Sequence, residues 1–246
     1  MHPILISIPH CSKYVPEQIE KYIIISDYDI KTHSDLYTDE IYDVDNAYVI
    51  KATSERVLCD PNRFLLENTM ENINNKGIVS MLTPCGEFVF KNLPDEKAID
   101  SMIEDHYLSY HSKIEQIIGK NDIRFIIDGH SMWSKGPSHL HDAGIPRPEI
   151  SLGNRNYTTC TNEQTEFIAH YFMDLGYNVA LNNPYSGKAI LKLHCSKKRT
   201  PGIQIEINRE LYMNEETLKK DTVAIKKFKK EIYDLVEAIS KNKDIF

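Results

Sequence analysis

Residues 124–130 read Arg124-Phe-Ile-Ile-Asp-Gly-His130: three large apolar side chains in a row, cut off by Asp128, Gly129 and His130. An apolar run this short, bounded by polar and turn-forming residues, is the pattern of a buried strand that ends where the polar residues begin. The spacing predicts a strand over 124–127 that delivers Asp128 and His130 at its carboxyl end. A second run of the same kind opens the chain, residues 4–8 (Ile-Leu-Ile-Ser-Ile), and empties into Pro9-His10. Further short apolar runs predict strands over 47–52, 56–59, 178–181 and 202–207. Between them, apolar residues at helical spacing predict helices over 35–42, 95–119, 161–175 and 215–241. Strands interleaved with helices indicate an α/β fold with a mixed, largely parallel sheet flanked by helices. No repeat, low-complexity tract or break in composition marks a linker, so residues 1–246 read as one domain.

Composition narrows the function. Apolar residues make up 41% and charged residues 26%, and the net charge is −7. That balance suits a globular chain with a sizeable core and argues against nucleic-acid binding, which calls for a basic surface. The five cysteines are scattered and form no C-x-x-C pair, so reduced thiols are expected rather than a disulfide framework. The first residues carry no signal-peptide pattern, and no apolar run reaches the roughly 20 residues of a membrane helix. A cytoplasmic location with no membrane partner is the expectation.

In an open α/β sheet, ligands gather outside the carboxyl ends of the strands. The predicted strand ends carry His10, Asp60, Asn62, Arg63, Asp128, His130 and, within the last strand, Glu206. Each also has an ordinary reading. Asp128-Gly129 favours a turn. Gln204 and Glu206 alternate with isoleucines, which would also fit the solvated face of an edge strand.

Five local patterns in order sharpen the picture: Pro9-His10-Cys11-Ser12, Arg56-Val-Leu-Cys-Asp60-Pro-Asn62-Arg63, Asp128-Gly129-His130-Ser131-Met132, Leu152-Gly153-Asn154-Arg155 and Gln204-Ile-Glu206-Ile-Asn208-Arg209. Together, from residue 4 to about residue 213, they resemble the N-formylglutamate amidohydrolase family, related in fold to the zinc carboxypeptidases and aspartoacylases. Tyr107-x-x-Tyr110-His111 and Tyr185-Ser-Gly187 resemble further segments of that family.

The resemblance implies one Zn²⁺ held by His10, His130 and a third ligand. Zinc carboxypeptidases place a glutamate three residues after the first histidine, where this chain has Lys13. The acidic stretch Asp35-Leu-Tyr-Thr-Asp39 matches instead, with Asp35 the expected ligand and Asp39 the alternative. By the same likeness Glu206 is the catalytic carboxylate and Arg56 the donor to the scissile carbonyl. Asn62 and Arg63 grip a substrate carboxylate, and Tyr185 and His111 line the substrate. A nitrogen and oxygen ligand set would also accept cobalt, nickel or iron. Asp128 is left between a partner for the His130 imidazole and a turn residue. The Asn-rich stretch 67–75 departs from the family pattern and could border the acyl pocket.

The expected activity is hydrolysis of the N-acyl amide of a small, carboxylate-bearing amino acid derivative: N-formyl-L-glutamate and water giving formate and L-glutamate. The alternative is a zinc peptidase or carboxypeptidase acting on a short peptide or a peptidoglycan stem. A silent binding protein that keeps the fold is a third reading, disfavoured because ligands, base and oxyanion donor are all present together.

Overall fold

A computed structural model describes residues 1–65, 77–83, 86–138 and 140–246. In chain order the elements are β1 (Ile4–Ile8), α1 (Glu17–Glu20), α2 (Asp27–His33), α3 (Thr38–Tyr42), β2 (Tyr48–Lys51), α4 (Glu96–Met102), a π-helical turn (Ile103–Leu108), α5 (Ser109–Asn121) and β3 (Phe125–Met132). There follow β4 (Ile150–Gly153), α6 (Asn162–Asp174), β5 (Val179–Leu181), α7 (Ala189–His194), β6 (Gly202–Asn208), a 3-10 turn (Arg209–Leu211) and α8 (Thr222–Lys241). Six strands form one sheet in the order β2-β1-β3-β6-β4-β5. Neighbours run parallel except β4 against β6. The α/β sheet, mostly parallel and flanked by helices, is the one the sequence predicts.

Alternation along three central strands decides what each face is made of. Ile4, Ile6 and Ile8, then Phe125 and Ile127, then Ile203, Ile205 and Ile207 fall in one apolar cluster with Ile168 and Phe172 of α6 and Phe228, Ile232, Leu235 and Val236 of α8. Removing each such side chain from water contributes about 1.5–3 kcal/mol, so this face anchors the sheet. The opposite face begins apolar, with Leu5 and Ile126 packed on Tyr110 and Ile114 of α5 and Ile190 and Leu191 of α7. Toward the strand ends it turns polar: Ser7, Asp128, His130, Gln204 and Glu206 are all buried there. Gly129 lies on the apolar face, where a Cβ would come 2.8 Å from the Tyr42 ring. The missing side chain lets the Tyr42 phenol reach the carbonyls of His130 and Ile205.

Several local expectations give way to tertiary contacts. β3 runs on through Met132, pairing Asp128 with Gln204 and His130 with Glu206. Asp128-Gly129 is therefore strand, not turn: pairing with β6 outweighs local turn preference. β6 lies between β3 and β4, so Glu206 is on a central strand and not on a solvated edge. Residues 56–59 are not a strand. The Glu55 carbonyl accepts the Leu58 and Cys59 amides and its carboxylate accepts the Val57 amide, which winds the segment into a turn. The apolar side chains there fill a separate cluster with Ile19, Met102 and Tyr107.

The predicted helix over 35–42 starts only at Thr38, leaving Asp35 in the preceding turn with its carbonyl bonded by the Thr38 hydroxyl. The helix over 95–119 is interrupted by the π-helical turn. The terminal helix starts at Thr222, where Asp221 caps the Val223 and Ala224 amides. Strand β4 and helix α7 carry too little periodicity to be foreseen. Cys11, Cys59, Cys160 and Cys195 are buried free thiols, while Cys85 and the stretch 67–75 lie outside the described residues. Among the described residues no helix is long and apolar enough to cross a membrane.

Glu55 supplies a test of this turn. It is fully buried, and burial pushes its carboxyl from 4.5 up to about 8. The folded state thus holds a proton that the unfolded state has released, so stability falls as pH rises from about 4.5 to about 8, by an amount on the order of a few kcal/mol. Glu55→Gln is expected to raise the melting temperature by several degrees at pH 8 and to leave it unchanged at pH 4, read by thermal denaturation at both.

Candidate metal centre and active-site cleft

Two strands and one turn bring the site together. His10 follows β1, His130 lies on β3, and Asp35 stands in the turn between α2 and α3, its amide bonded to the His10 carbonyl at 2.9 Å. The Asp35 Oδ2 atom lies 3.4 Å from His10 Nδ1 and 3.0 Å from His130 Nδ1. All three side chains are buried, and their ligating atoms fall within 4.8 Å of one another. This is the donor set the resemblance implies, and it could hold a metal ion. Asp39 sits on α3 and is not part of it.

The arrangement fits a metal on chemical grounds. His10 Nδ1 is buried with no hydrogen-bond partner among the described residues, a costly condition for a polar atom. Its other ring nitrogen, Nε2, donates to Asp60 Oδ1 at 2.8 Å. His130 Nδ1 pairs with Asp35 Oδ2 at 3.0 Å, and its Nε2 lies 3.2 Å from both Asp128 Oδ2 and Asn62 Nδ2. Metal-bound histidines characteristically give their second nitrogen to a carboxylate, which fixes tautomer and ring orientation. Burial works against charge here, yet the two histidines that face it hold the Asp35 carboxyl well below the usual range. Burial likewise opposes the positive charge on His130, but Asp128 and Asp35 outweigh it and keep its pKa well above that of a free imidazole.

A ring of arginines surrounds these carboxylates. Arg209 is buried and bonds Asp35 Oδ1 through Nη2 at 3.0 Å, the Thr32 carbonyl through Nη1 and Ser131 Oγ through Nε. It thereby turns the other Asp35 oxygen toward the histidines, and its guanidinium stacks over Trp133. Arg56 reaches Asp60 Oδ2 at 3.1 Å and comes within 3.9 Å of Asp35. Arg63 touches the same Asp60 oxygen through Nε at 3.3 Å, its only side-chain hydrogen bond among the described residues. Asn62 is held by its own Oδ1, which accepts the Ile190 amide at 3.0 Å, while Nδ2 lies 3.2 Å from His130 Nε2.

These residues line one cleft of about 1160 Å³ together with Tyr185, Lys188, Trp133, Gln204 and Glu206. Glu206 is 5% exposed, and burial raises its carboxyl to about 7, which puts both protonation states within reach near neutrality. Its Oε1 accepts Gln204 Nε2 at 2.8 Å; its Oε2 has no partner among the described residues. Tyr185 lies under the Arg147 guanidinium.

His111 is placed differently from the other candidates. It lies behind the cleft, with Nε2 3.0 Å from the Pro61 carbonyl and Nδ1 2.7 Å from His194 Nε2, and His194 in turn pairs with Glu115. It supports the backbone next to Asn62 and Arg63 and does not line the cleft. Arg209 and Gln204 are the residues that strand-end reasoning passed over. The only sequence signal for them is their place in the Gln204–Arg209 stretch around Glu206.

Comparisons with known proteins follow this geometry. The family model described as N-formylglutamate amidohydrolase matches residues 2–213. A solved N-formylglutamate amidohydrolase from Ralstonia eutropha JMP134 superposes with a TM-score of 0.86 at 20% identity, covering 98% of this chain and 93% of that one. The gene product Atu2144 from Agrobacterium tumefaciens superposes with a TM-score of 0.67 at 15% identity, covering 97% and 92%. No curated protein matches the chain. The structural likenesses show a shared fold, and the family model spans most of the sequence: the chain belongs to the N-formylglutamate amidohydrolase family.

Proposed function

We propose that this chain is a zinc-dependent amidohydrolase that cleaves the N-acyl amide of a carboxylate-bearing amino acid derivative of the N-formylglutamate kind, releasing the acyl acid and the free amino acid. The observation that carries the reading is the convergence of His10 Nδ1, His130 Nδ1 and Asp35 Oδ2 in the cleft that Glu206 also lines, a buried carboxyl whose Oε2 has no partner among the described residues. A zinc ion held by those three atoms would polarise the acyl oxygen and bring the pKa of a bound water toward about 7.

The remaining chemistry belongs to the side chains. Arg63, which lines the cleft and rests its Nε on Asp60, binds the substrate carboxylate in the two-pronged manner open to a guanidinium, and Asn62 adds a neutral donor. Arg56, about a quarter exposed and held by Asp60, stands where it can donate to the oxygen that gains charge as the acyl carbon becomes tetrahedral. Glu206 takes a proton from the attacking water and returns it to the departing nitrogen. Tyr185 closes over the amino acid from the cleft wall.

One observation favours the peptidase reading as a second possibility. A cleft of about 1160 Å³ exceeds the 300–1,000 Å³ typical of small-molecule pockets, which leaves room for a short peptide or a peptidoglycan stem. Hydrolysis rates on N-acyl amino acids against short peptides separate the two.

The decisive experiment measures metal content and formate release from N-formylglutamate, before and after chelation. One equivalent of zinc with chelator-sensitive release is expected; a protein that binds no metal even when zinc is added back would overturn the reading. Glu206→Gln is expected to keep the zinc and lose roughly 10²–10⁴-fold in kcat. In the unsubstituted protein the same carboxylate sets the acid limb of kcat/KM. Activity falls as pH drops through a value at or below about 7, because the neutral form is no base and a nearby cation's charge lowers the pKa further. His111→Phe removes the donor to the Pro61 carbonyl at similar volume. The loss of about 1 kcal/mol of positioning should raise KM roughly fivefold with kcat and zinc content unchanged, as read by steady-state kinetics.

A further inference from the structure

Gln204 is a buried amide, 3% exposed, on the floor of the cleft. Its Nε2 donates to Glu206 Oε1 at 2.8 Å. Its Oε1 is buried and has no hydrogen-bond partner among the described residues. An ionised Glu206 fixes the amide this way round, since rotating it would set two acceptor oxygens against each other. Two buried acceptors without partners, Gln204 Oε1 and Glu206 Oε2, therefore belong to side chains that line the same cleft two residues apart on one strand face. A buried acceptor without a donor costs roughly 1–3 kcal/mol, so the floor is built for a ligand that brings donors of its own.

The position of Gln204 says which donor. On β6 it is level with Asp128 on one side and Gly153 on the other. A Cβ on Gly153 would meet the Ser186 and Gly187 backbone at 2.8–2.9 Å, so the Gln204 side chain shares its face of the sheet with the loop that carries Tyr185 and Lys188. The amide of Ile190, just beyond that loop, is the one bonded by Asn62. Gln204 thus lies between the catalytic carboxylate and the wall that holds the amino acid part of the substrate. In amide hydrolysis water oxygen bonds to the acyl carbon, the C–N bond breaks, and the nitrogen takes the proton carried by Glu206. That nitrogen must come within hydrogen-bond reach of Glu206, which places it beside the amide already bonded to the same carboxylate.

We propose that Gln204 reads the scissile nitrogen. Its Nε2 holds Glu206 in place, and its Oε1 accepts the N–H of the substrate amide and keeps that bond as the amine leaves. The residue is then a determinant of amide over ester specificity, because an ester carries oxygen where the N–H stands and leaves Oε1 without a donor. The inference rests on the hydrolase reading above and adds the group that recognises the bond being cut.

The test compares N-formylglutamate with its ester counterpart, 2-formyloxyglutarate, corrected for spontaneous hydrolysis, in the zinc-loaded full chain and in Gln204→Met. Losing the bond to Glu206 affects both substrates alike; losing Oε1 affects only the amide. The ratio of amide to ester kcat/KM is expected to fall about tenfold in Gln204→Met. Gln204→Asn, which keeps an amide but withdraws it by one methylene, should give an intermediate ratio and serves if the methionine variant does not fold. An equal fall for both substrates, or an unchanged ratio in both variants, overturns the role of Gln204 and leaves the hydrolase standing. Failure of the unsubstituted protein to cleave either substrate or any other N-acyl amino acid overturns both.

Discussion

The Asp35 carboxylate is the interaction on which the rest of the site is built. One of its oxygens faces the Nδ1 atoms of His10 and His130, and the other is bonded by Arg209. Burying a carboxylate this completely is expensive unless every lone pair is met by a charge or a donor. The turn before α3 meets that demand by bringing two strands, the α2–α3 connection and the segment after β6 to one point. The fold around Asp35 is therefore constrained from four directions, and each constraint also sets the orientation of a group that the chemistry uses.

Asp60 does for the outer shell what Asp35 does for the inner one. It accepts His10 Nε2, Arg56, Arg63 and the Asn62 amide. Burial opposes its ionisation, yet the positive charge of His10 and Arg56 keeps its carboxyl well below the ordinary range. One residue thus ties His10 to Arg56, Arg63 and Asn62. The turn wound by Glu55 delivers it: the same backbone that fails to make the expected strand over 56–59 instead curls to aim Arg56, Asp60, Asn62 and Arg63 into the cleft. His111 and His194 brace this turn from behind through the Pro61 carbonyl.

The two faces of the sheet show how a core and a reactive floor coexist. On β3 and β6 the alternating side chains of Phe125, Ile127, Ile203, Ile205 and Ile207 are locked into one cluster with α6 and α8. The intervening ones include Asp128, Gln204, His130 and Glu206, the last two being register partners. Desolvation that would weaken a core carboxylate here brings Glu206 to about 7, so the same burial that stabilises the isoleucine face gives the opposite face a carboxyl poised near neutrality.

Much of this was written locally. Short apolar runs ending in His10 and Asp128-Gly129-His130 specify buried strands with imidazoles at their ends, and the alternation around Glu206 puts it on one face with Gln204, because side-chain period in a strand is 2. What alternation leaves open is whether that face meets solvent or a cleft, and only the antiparallel docking of β4 beside β6 makes it interior. The grouping of Asp35 with His10 and His130, the bracing position of His111 and the partnership of Asp60 with His10 were decided by tertiary structure. Each depends on contacts between residues 25 to 95 positions apart. Local propensity has no information about which distant group will supply the charge that a buried polar atom requires.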